Sequence, residues 1–448
     1  MLGWQAIKEG EYKLNIPLLS DEEEFIILEI EKRFREIARI ENIENEETTK
    51  TILKDILYRV ADENNLEIDK DQETYLVEMA FRHIYGLFFL DDLIKDDRIE
   101  EIAIIGLNKP VFVYLTNEGW KQVNVMITSE KALIDLINKI GKSLGRRITL
   151  QHPRLDTMLP DGSRLHASIK PISDGEMTIR KFKEKPLSPK HIISFGTGPT
   201  DLFALLSIFM QSDSSIIIAG NTASGKTTTL NSLFSFTPLT ERILITEETP
   251  EINIPHLHTV RLVANENLGI SLMDLVYDSL RMRPDRIIVG EVRNKEESRA
   301  LLDVLLGGQA RGVYATFHAQ SAAEALNRFM SFGIPKIDLD SIDLILVQRR
   351  MLKYNVKKRK NQEIRKITEL AVVEKGNVER IYKYDILSDS WKKRSLKKLY
   401  NILEENIGLT VKEIEQEVKK REKIIKKAPA IYKDFFEFIQ SSFYGVKL

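Results

Sequence analysis

The stretch "IIIAGNTASGKTTTLNSL", residues 216–233, constrains the fold of this chain more than any other part of its sequence. An apolar run typical of a buried strand leads into a complete G-x-x-x-x-G-K-[ST] pattern, from Gly220 to Thr227. Glycines let the backbone wrap closely around a phosphate, and the N–H groups at the start of the next helix point towards it. The stretch therefore predicts a strand, a phosphate-binding loop and a helix, and with them a bound nucleotide.

The residue types in this loop also predict how the nucleotide is held. Lys226 is expected to reach the β- and γ-phosphates, and the Thr227 hydroxyl is expected to ligate Mg²⁺. The predicted ligands of the loop are therefore a nucleotide and Mg²⁺. The predicted nucleotide-binding residues are Gly220, Asn221, Thr222, Ala223, Ser224, Gly225, Lys226, Thr227 and Thr228.

One later strand-like run, "RIIVGEVR" at residues 286–293, contains a glycine followed by a glutamate. Gly290 stands where many nucleotide hydrolases place a metal-binding aspartate, and Glu291 follows it. Thr227, phosphate oxygens and water would then hold the metal, which leaves Glu291 to orient the attacking water. An ordinary acid at a strand end is the alternative.

Two more segments are predicted to reach the same edge of the sheet. Glu247, Glu248 and Glu251 follow an apolar run, at the carboxyl edge where α/β proteins form their sites. Such acids bind hydrated magnesium or position water, and a solvated acidic turn is the alternative. His318 ends another apolar run; a lone histidine is more often structural, but this position suits one that senses the γ-phosphate.

Composition limits the class of protein. With 448 residues the chain is too long for one ordinary core, so we expect two or three domains. Its 66 lysines and arginines against 67 aspartates and glutamates argue against a dedicated nucleic-acid binder. No cysteine is present, which excludes disulfides and thiolate chemistry. No run approaches the ~18 apolar residues of a membrane span and no signal peptide is visible, so we expect a cytoplasmic protein.

Periodicity and turn residues predict five regions. Ser20 and Glu23 have the spacing of a capping box at the start of a helix over residues 20–40. Alternating strands and helices after residue 200 indicate a parallel sheet covered on both faces. The regions are a mainly helical segment (1–90), a small α+β domain (91–190), an interdomain linker or hinge (191–201), a phosphate-loop α/β domain (202–380) and a helical C-terminal region (381–448).

Four segments, taken in order, resemble the motifs of the secretion-ATPase superfamily that powers type II and type IV secretion, type IV pili and the archaellum. They are "GNTASGKT" (Walker A), "TEETPE" (an acidic Asp box), "RMRPDRIIVGEVR" (a Walker B ending in Gly-Glu) and "ATFHA" (a His box). The chain departs from the family at Glu248, where aspartate is usual. Glutamate keeps the negative charge of aspartate, but its side chain reaches farther. The tail over residues 408–440 is most similar to the archaeal pilus and archaellum branch.

This resemblance implies a fold and a set of catalytic roles. The fold is α/β, with a RecA-like P-loop core whose central sheet is mostly parallel, preceded by a helical segment and a small α+β domain and followed by a helical tail. Glu291 would polarise water in ATP hydrolysis, and Glu247 and Glu248 would assist, Glu248 binding Mg²⁺ through water. His318 would read the state of the γ-phosphate.

Four arginines are candidates for stabilising charge on the nucleotide. Arg164 and Arg180 best match the residues that the family's N-terminal domain extends to the nucleotide as arginine fingers. Arg281 and Arg283 are candidates in the core. A structural ion pair is the alternative for each of them.

The resemblance also implies partners. It implies a homohexameric ring at the inner face of the cell membrane, docked beneath a polytopic membrane platform protein. The ring would drive a filament system of pilin-like or archaellin-like subunits, and no direct contact with nucleic acid is expected.

Two other functions stay open from the sequence. A nucleic-acid translocase can use the same core, although the near-neutral charge and the lack of interleaved basic and aromatic residues argue against direct DNA contact. A scaffold that holds nucleotide without hydrolysing it is disfavoured by the presence of Glu291, Lys226 and Thr227. The chain contains no N-K-x-D guanine motif, which argues against a GTPase.

Overall fold

The chain folds into two compact units, residues 1–183 and 184–448. The structure is a computed structural model, and it describes residues 4–7, 10–15, 19–38, 45–116, 118–142, 144–182, 186–265, 268–356 and 359–446. No helix among these residues has the length and apolar composition of a membrane span.

The first unit combines helices with an antiparallel sheet. Its helices are α1 (Asp21–Ile37), α2 (Glu46–Glu63), α3 (Lys70–Tyr85), α4 (Phe89–Lys95) and α5 (Glu130–Lys142). Its strands are β1 (Trp4–Ala6), β2 (Ile99–Ile104), β3 (Pro110–Leu115), β4 (Gly119–Ile127), β5 (Arg154–Met158), β6 (Arg164–Ser168) and β7 (Glu176–Arg180). The seven strands pair antiparallel in the order β1-β4-β3-β2-β7-β6-β5.

The start of α1 confirms the predicted capping box. The Ser20 hydroxyl accepts from the Glu23 backbone N–H at 3.2 Å, and the Ser20 N–H donates to the Glu23 carboxylate at 2.7 Å. These bonds satisfy donors that the first turn of a helix leaves without partners. The helix ends at Ile37, and residues 39 and 40 of the predicted helix lie outside the described residues.

The second unit contains the phosphate loop. Its helices are α6 (Pro189–Ser194), α7 (Thr200–Phe209), α8 (Lys226–Leu233), α9 (Leu272–Ser279), α10 (Lys295–Gly307), α11 (Ala322–Ser331), α12 (Lys397–Ile407), α13 (Val411–Lys427) and α14 (Tyr432–Tyr444). Its strands are β8 (Ile216–Ala219), β9 (Ile243–Glu247), β10 (Thr259–Val263), β11 (Arg286–Val292), β12 (Gly312–Phe317), β13 (Leu344–Asn355), β14 (Lys360–Glu374), β15 (Asn377–Asp385) and β16 (Ser390–Lys393).

The sheet of the second unit is mostly parallel, as predicted. Its order is β10-β9-β11-β12-β8-β13-β14-β15-β16; the first six strands run parallel and the last three join antiparallel. Ile216 and Ile218 of β8 enter one core, whereas Ile217 and Ala219 enter another, and all four are fully buried. Successive side chains of a strand point to opposite faces, so both faces are covered. The α/β fold class is therefore confirmed.

Residues 191–201 belong to the second unit, although their composition predicts a linker. The Ser188 hydroxyl accepts from the His191 N–H at 3.2 Å, and Pro189 is the first residue of α6. Ile192 is buried in the core of the same unit. Serine and proline are thus helix-start signals here rather than linker residues. The units divide between residues 183 and 184, not between 190 and 191.

The predicted helical C-terminal region begins with strands. The region from residue 381 contains the end of β15 and all of β16, and its first helix begins at Lys397. Thr410 is the N-cap of α13, because its hydroxyl accepts from the Glu413 N–H.

A buried ion pair anchors the start of β11. The Arg286 side chain is fully buried; its Nε donates to Glu241 Oε2 at 2.6 Å and its Nη2 donates to Glu241 Oε1 at 3.1 Å. Its Nη1 donates to the Ser212 carbonyl at 2.6 Å and to the Tyr314 hydroxyl at 3.2 Å. These bonds fix the strand whose far end carries Gly290 and Glu291.

We expect Arg286→Met to lower the free energy of unfolding by about 3 kcal/mol, because the Glu241 carboxylate then stays buried without its main partner. The double variant Arg286→Met/Glu241→Leu should recover most of that loss, since it removes both buried charges. Urea unfolding followed by circular dichroism measures both effects. A double variant less stable than the single variant would contradict the explanation.

Candidate functional site

The phosphate loop joins β8 to α8, as the sequence predicts. Gly225 has a φ of +92° and Ala223 a φ of +57°, so the chain turns through left-handed conformations before Lys226 begins the helix. Gly220 passes so close to β13 that a Cβ atom there would lie 2.0 Å from the Gln348 carbonyl oxygen. Only glycine fits at that position. Thr222 is exposed in the loop, and Thr228 is half-buried in the first turn of α8.

The loop is held from one side by β13 and β14. Asn221 Nδ2 donates to the Arg350 carbonyl at 3.0 Å, and the Arg350 N–H donates to Asn221 Oδ1 at 2.9 Å. Gln348 Nε2 donates to the Ser224 carbonyl at 2.7 Å, and Arg365 Nε donates to the Ala223 carbonyl at 3.0 Å. Gln348 and Arg365, which sequence reasoning missed, and Asn221, which it predicted as a nucleotide-binding residue, therefore fix the loop's backbone with their side chains.

The Lys226 side chain is almost buried and lies over the loop. Its Nζ donates to the Gly220 carbonyl at 3.3 Å and to the Asn221 carbonyl at 3.5 Å. The same nitrogen lies 3.6 Å from Glu291 Oε1. The predicted phosphate-binding lysine and the predicted water-orienting glutamate are thus neighbours.

Glu291 has positive or protonatable partners at both of its oxygens. His318 Nε2 lies 2.9 Å from Oε1, and Arg293 Nε donates to Oε2 at 2.9 Å. Burial alone would raise the pKa of Glu291, but His318, Lys226 and Arg293 outweigh it and lower the pKa to about 2. Glu291 is therefore a carboxylate across the physiological pH range.

Gly290 leaves room for Glu247. A Cβ atom at Gly290 would lie 3.0 Å from Glu247 Cγ, and the pairing of β11 with β12 shifts register at this point. The Gly290 carbonyl accepts from the Thr316 hydroxyl at 2.6 Å. An aspartate here would displace the Glu247 side chain, which explains why glycine stands in this position.

Glu247 is buried and orders the acidic turn after β9. Its Oε1 accepts from the backbone N–H groups of Glu251 and Ile252, each at 2.8 Å. Its Oε2 lies 3.4 Å from Arg261 Nε without hydrogen-bond geometry. Burial raises the pKa of Glu247 to about 7, and the two backbone bonds only partly oppose that shift. In this structure Glu247 shapes the turn that presents Glu251.

Glu248 and Glu251 face the cleft beside the loop. The Glu248 carboxylate contacts Arg293, and Glu251 Oε2 accepts from the Thr227 hydroxyl at 3.2 Å. No trio of histidine, aspartate or glutamate among the described residues is placed to hold a metal ion alone. A hydroxyl beside carboxylates is nevertheless a donor set that suits Mg²⁺, with phosphate oxygens and water completing the coordination. These residues fit the predicted ion.

Arg164 and Arg180 lie together in the first unit. They are direct cross-strand partners on β6 and β7, and Arg180 also faces Glu101 on β2. Within the part of the chain that the structure describes, neither guanidinium group forms an ion pair or a hydrogen bond. The two predicted finger residues therefore share one site, although the sequence offered them separately. Their role at a nucleotide stays a prediction.

Arg281 and Arg283 are not brought to the cleft of their own chain. Both precede β11, whereas Glu291 stands near its carboxyl end, about 17 Å along the strand at ~3.3 Å per residue. The Arg281 side chain is 82% exposed and pairs with Asp278 at 3.4 Å.

We expect Glu247 to make the unfolding free energy fall as pH rises. Its pKa of about 7 in the folded chain lies above that of an unfolded glutamate, so the folded state binds the extra proton between those values. Stability is then lost from about pH 4.5 to pH 7, by on the order of 3 kcal/mol. Glu247→Gln should flatten this slope in urea titrations at several pH values, whereas the exposed control Glu296→Gln should leave it. Equal slopes in all three proteins would refute the assignment.

Known proteins are similar to this chain in sequence. The chain is 33% identical over 340 residues to uncharacterized protein MJ0781 of Methanocaldococcus jannaschii. The aligned region covers 68% of the chain and 46% of that relative. It is 28% identical over 270 residues to protein VirB11 of Agrobacterium fabrum, covering 53% of the chain and 77% of VirB11. The chain spans about half the length of MJ0781 and of a second relative from the same organism, MJ0900.

A solved structure and a family model also match. The X-ray structure of the Legionella pneumophila ATPase DotB is 20% identical, with a TM-score of 0.47, over 76% of this chain and 88% of DotB. The family model described as type II/IV secretion system protein matches residues 93–439, which is most of the chain. The chain therefore belongs to the type II/IV secretion system protein family.

Proposed function

We propose that this chain hydrolyses ATP and that the released energy drives a secretion-type or pilus-type machine. The observation that carries the proposal is the meeting of Lys226, Glu291 and His318 at the edge of the sheet where the phosphate loop ends. A lysine that neutralises phosphate charge, next to an ionised carboxylate that accepts from water, is the pair that phosphoryl transfer to water requires.

Each residue of the cleft has a part in this proposal. The loop amides and Lys226 bind the β- and γ-phosphates, and Glu291 orients the attacking water. Because the pKa of Glu291 is low, the carboxylate orients and polarises the water rather than removing its proton outright. His318, hydrogen-bonded to Glu291 when its Nε2 is protonated, links that carboxylate to the γ-phosphate position.

Magnesium belongs to the same proposal. Thr227 would hold the ion directly and Glu248 would hold it through water, with Glu251 beside them. When bound, the ion supplies positive charge at the β- and γ-phosphate oxygens.

The assembly and the partners are proposed from the family. We propose a homohexamer at the inner face of the cell membrane, which acts on a polytopic platform protein and on a filament of pilin-like or archaellin-like subunits. In such a ring Arg164 or Arg180, and separately Arg281 or Arg283, would reach a neighbour's nucleotide. Among the described residues the guanidinium groups of Arg164 and Arg180 have no ion-pair partner, which supports this arrangement because they are available to an anion.

Glu291→Gln should lower kcat for ATP hydrolysis about 10²–10³-fold, since an amide polarises water poorly, while binding of ATP persists. Lys226→Ala should lose binding itself. Phosphate release and equilibrium binding of a fluorescent ATP analogue separate the two effects. Hydrolysis by Glu291→Gln at the wild-type rate would reject this assignment. Addition of single-stranded DNA, which should leave the rate unchanged, tests the translocase alternative.

A mixing experiment distinguishes an arginine finger in trans from one in cis. Glu291→Gln and Arg164→Ala/Arg180→Ala should each be inactive alone. If the finger acts on a neighbouring subunit, rings that contain both variants have some intact sites. An intact site needs Glu291 from one subunit and the arginines from its neighbour, and in an equimolar mixture this occurs at roughly a quarter of the interfaces. The mixture should therefore recover roughly a quarter of the wild-type rate. Light scattering measures whether the ring assembles. A mixture of Glu291→Gln with Lys226→Ala is the control, because it should recover no activity. Recovery no greater than that control would place the arginines in cis, and wild-type activity of Arg164→Ala/Arg180→Ala alone would place them outside catalysis.

A further inference from the structure

Arg293 follows β11 directly and is fixed by its surroundings. Its backbone N–H donates to Glu297 Oε2 at 2.7 Å, one turn into α10. The Glu297 side chain is itself held, because Asn294 Nδ2 donates to its Oε1 at 2.7 Å. Asn294 is also the N-cap of α10. The start of α10 therefore fixes the position of the Arg293 backbone, from which the side chain extends.

The Arg293 guanidinium joins the ends of two strands. Its Nε and Nη2 both lie 2.9 Å from Glu291 Oε2, and its Nη1 contacts the Glu248 carboxylate after β9. Because Oε2 of Glu291 is occupied in this way, Oε1 is the oxygen that faces Lys226 and His318. A guanidinium group can make this fixed fork, and an ammonium group cannot.

The charge balance of the cleft gives Arg293 a second effect. Glu248, Glu251 and Glu291 line the space beside the loop, and Arg293 is the arginine that lines it with them. A nucleotide triphosphate brings further negative charge, and Lys226 then serves the phosphates rather than Glu291. Arg293 is the cation that stays with the two carboxylates it already contacts, which reduces their repulsion of the incoming anion.

We infer that Arg293 is a positioning residue with two separable effects on the proposed ATP hydrolysis, on which this inference rests. Its positive charge permits the triphosphate to bind beside Glu248 and Glu291. Its fork holds the Glu291 carboxylate in the rotation that turns Oε1 towards Lys226 and His318. The first effect belongs to binding and the second to turnover.

Arg293→Lys and Arg293→Gln separate these effects. The Gln variant loses the charge and the fork, so the KM for ATP and the Kd of a non-hydrolysable ATP analogue should rise about tenfold and kcat should also fall. The Lys variant keeps the charge and loses the fork. The Lys variant should have a Kd within about twofold of the wild-type value, whereas its kcat should be at least about tenfold below that of wild type.

Arg299→Gln is the matched control. Arg299 lies on α10, is similarly exposed, and pairs with Asp303 at 2.9 Å away from the cleft. It should leave Kd, KM and kcat unchanged. Circular dichroism monitors folding, and the Lys variant, which keeps the charge, tests the positioning effect even where the Gln variant does not fold.

The outcomes decide the inference. Wild-type kcat in Arg293→Lys would overturn the positioning effect, and a wild-type Kd in Arg293→Gln would overturn the charge effect. If the wild-type protein binds the analogue but does not hydrolyse ATP, the proposed function fails, and the Kd values still decide the charge effect by themselves.

Discussion

Glu291 can remain a carboxylate in a half-buried cleft because cationic partners lie at both of its oxygens, and the organisation of the site depends on this. Arg293 occupies one oxygen, whereas Lys226 and His318 face the other. The three partners come from the turn after β11, the start of α8 and the end of β12. Parallel strands whose carboxyl ends share one edge are what bring such distant residues to a single side chain.

The phosphate loop is held by hydrogen bonds from two neighbouring strands. It contains two residues in left-handed conformations, Ala223 and Gly225. β13 and β14 constrain its shape through Gln348, Arg350 and Arg365. A change of loop shape on nucleotide binding would therefore have to be accommodated by these two strands, which continue beyond the loop as a paired extension.

Short-range sequence patterns predicted much of this structure, but they could not predict contacts between residues far apart in the sequence. The loop, the capping box at Ser20 and the shared strand edge follow from local spacing and from the rule that parallel strands end together. The bond from Gln348 to Ser224 joins positions 124 residues apart, and no local pattern signals it. Gly290 could be recognised as unusual from the sequence, but its reason, the nearby Glu247 side chain, could not. Ser188 and Pro189 show how one composition suits both a linker and a helix start.

The pairing of Arg164 with Arg180 has a consequence for the stability of the first unit. Two guanidinium groups at directly opposed positions of an antiparallel pair repel each other, and Glu101 offsets this only from the side of β2. A sequence selected for stability alone would place a neutral or opposite charge at one of these positions. The pair is thus a locally frustrated contact, and an anion placed over it would relieve the repulsion. If an anion binds at this pair as proposed, its binding and the folding stability of the unit are linked, so replacements that stabilise the empty unit should weaken the binding of that anion.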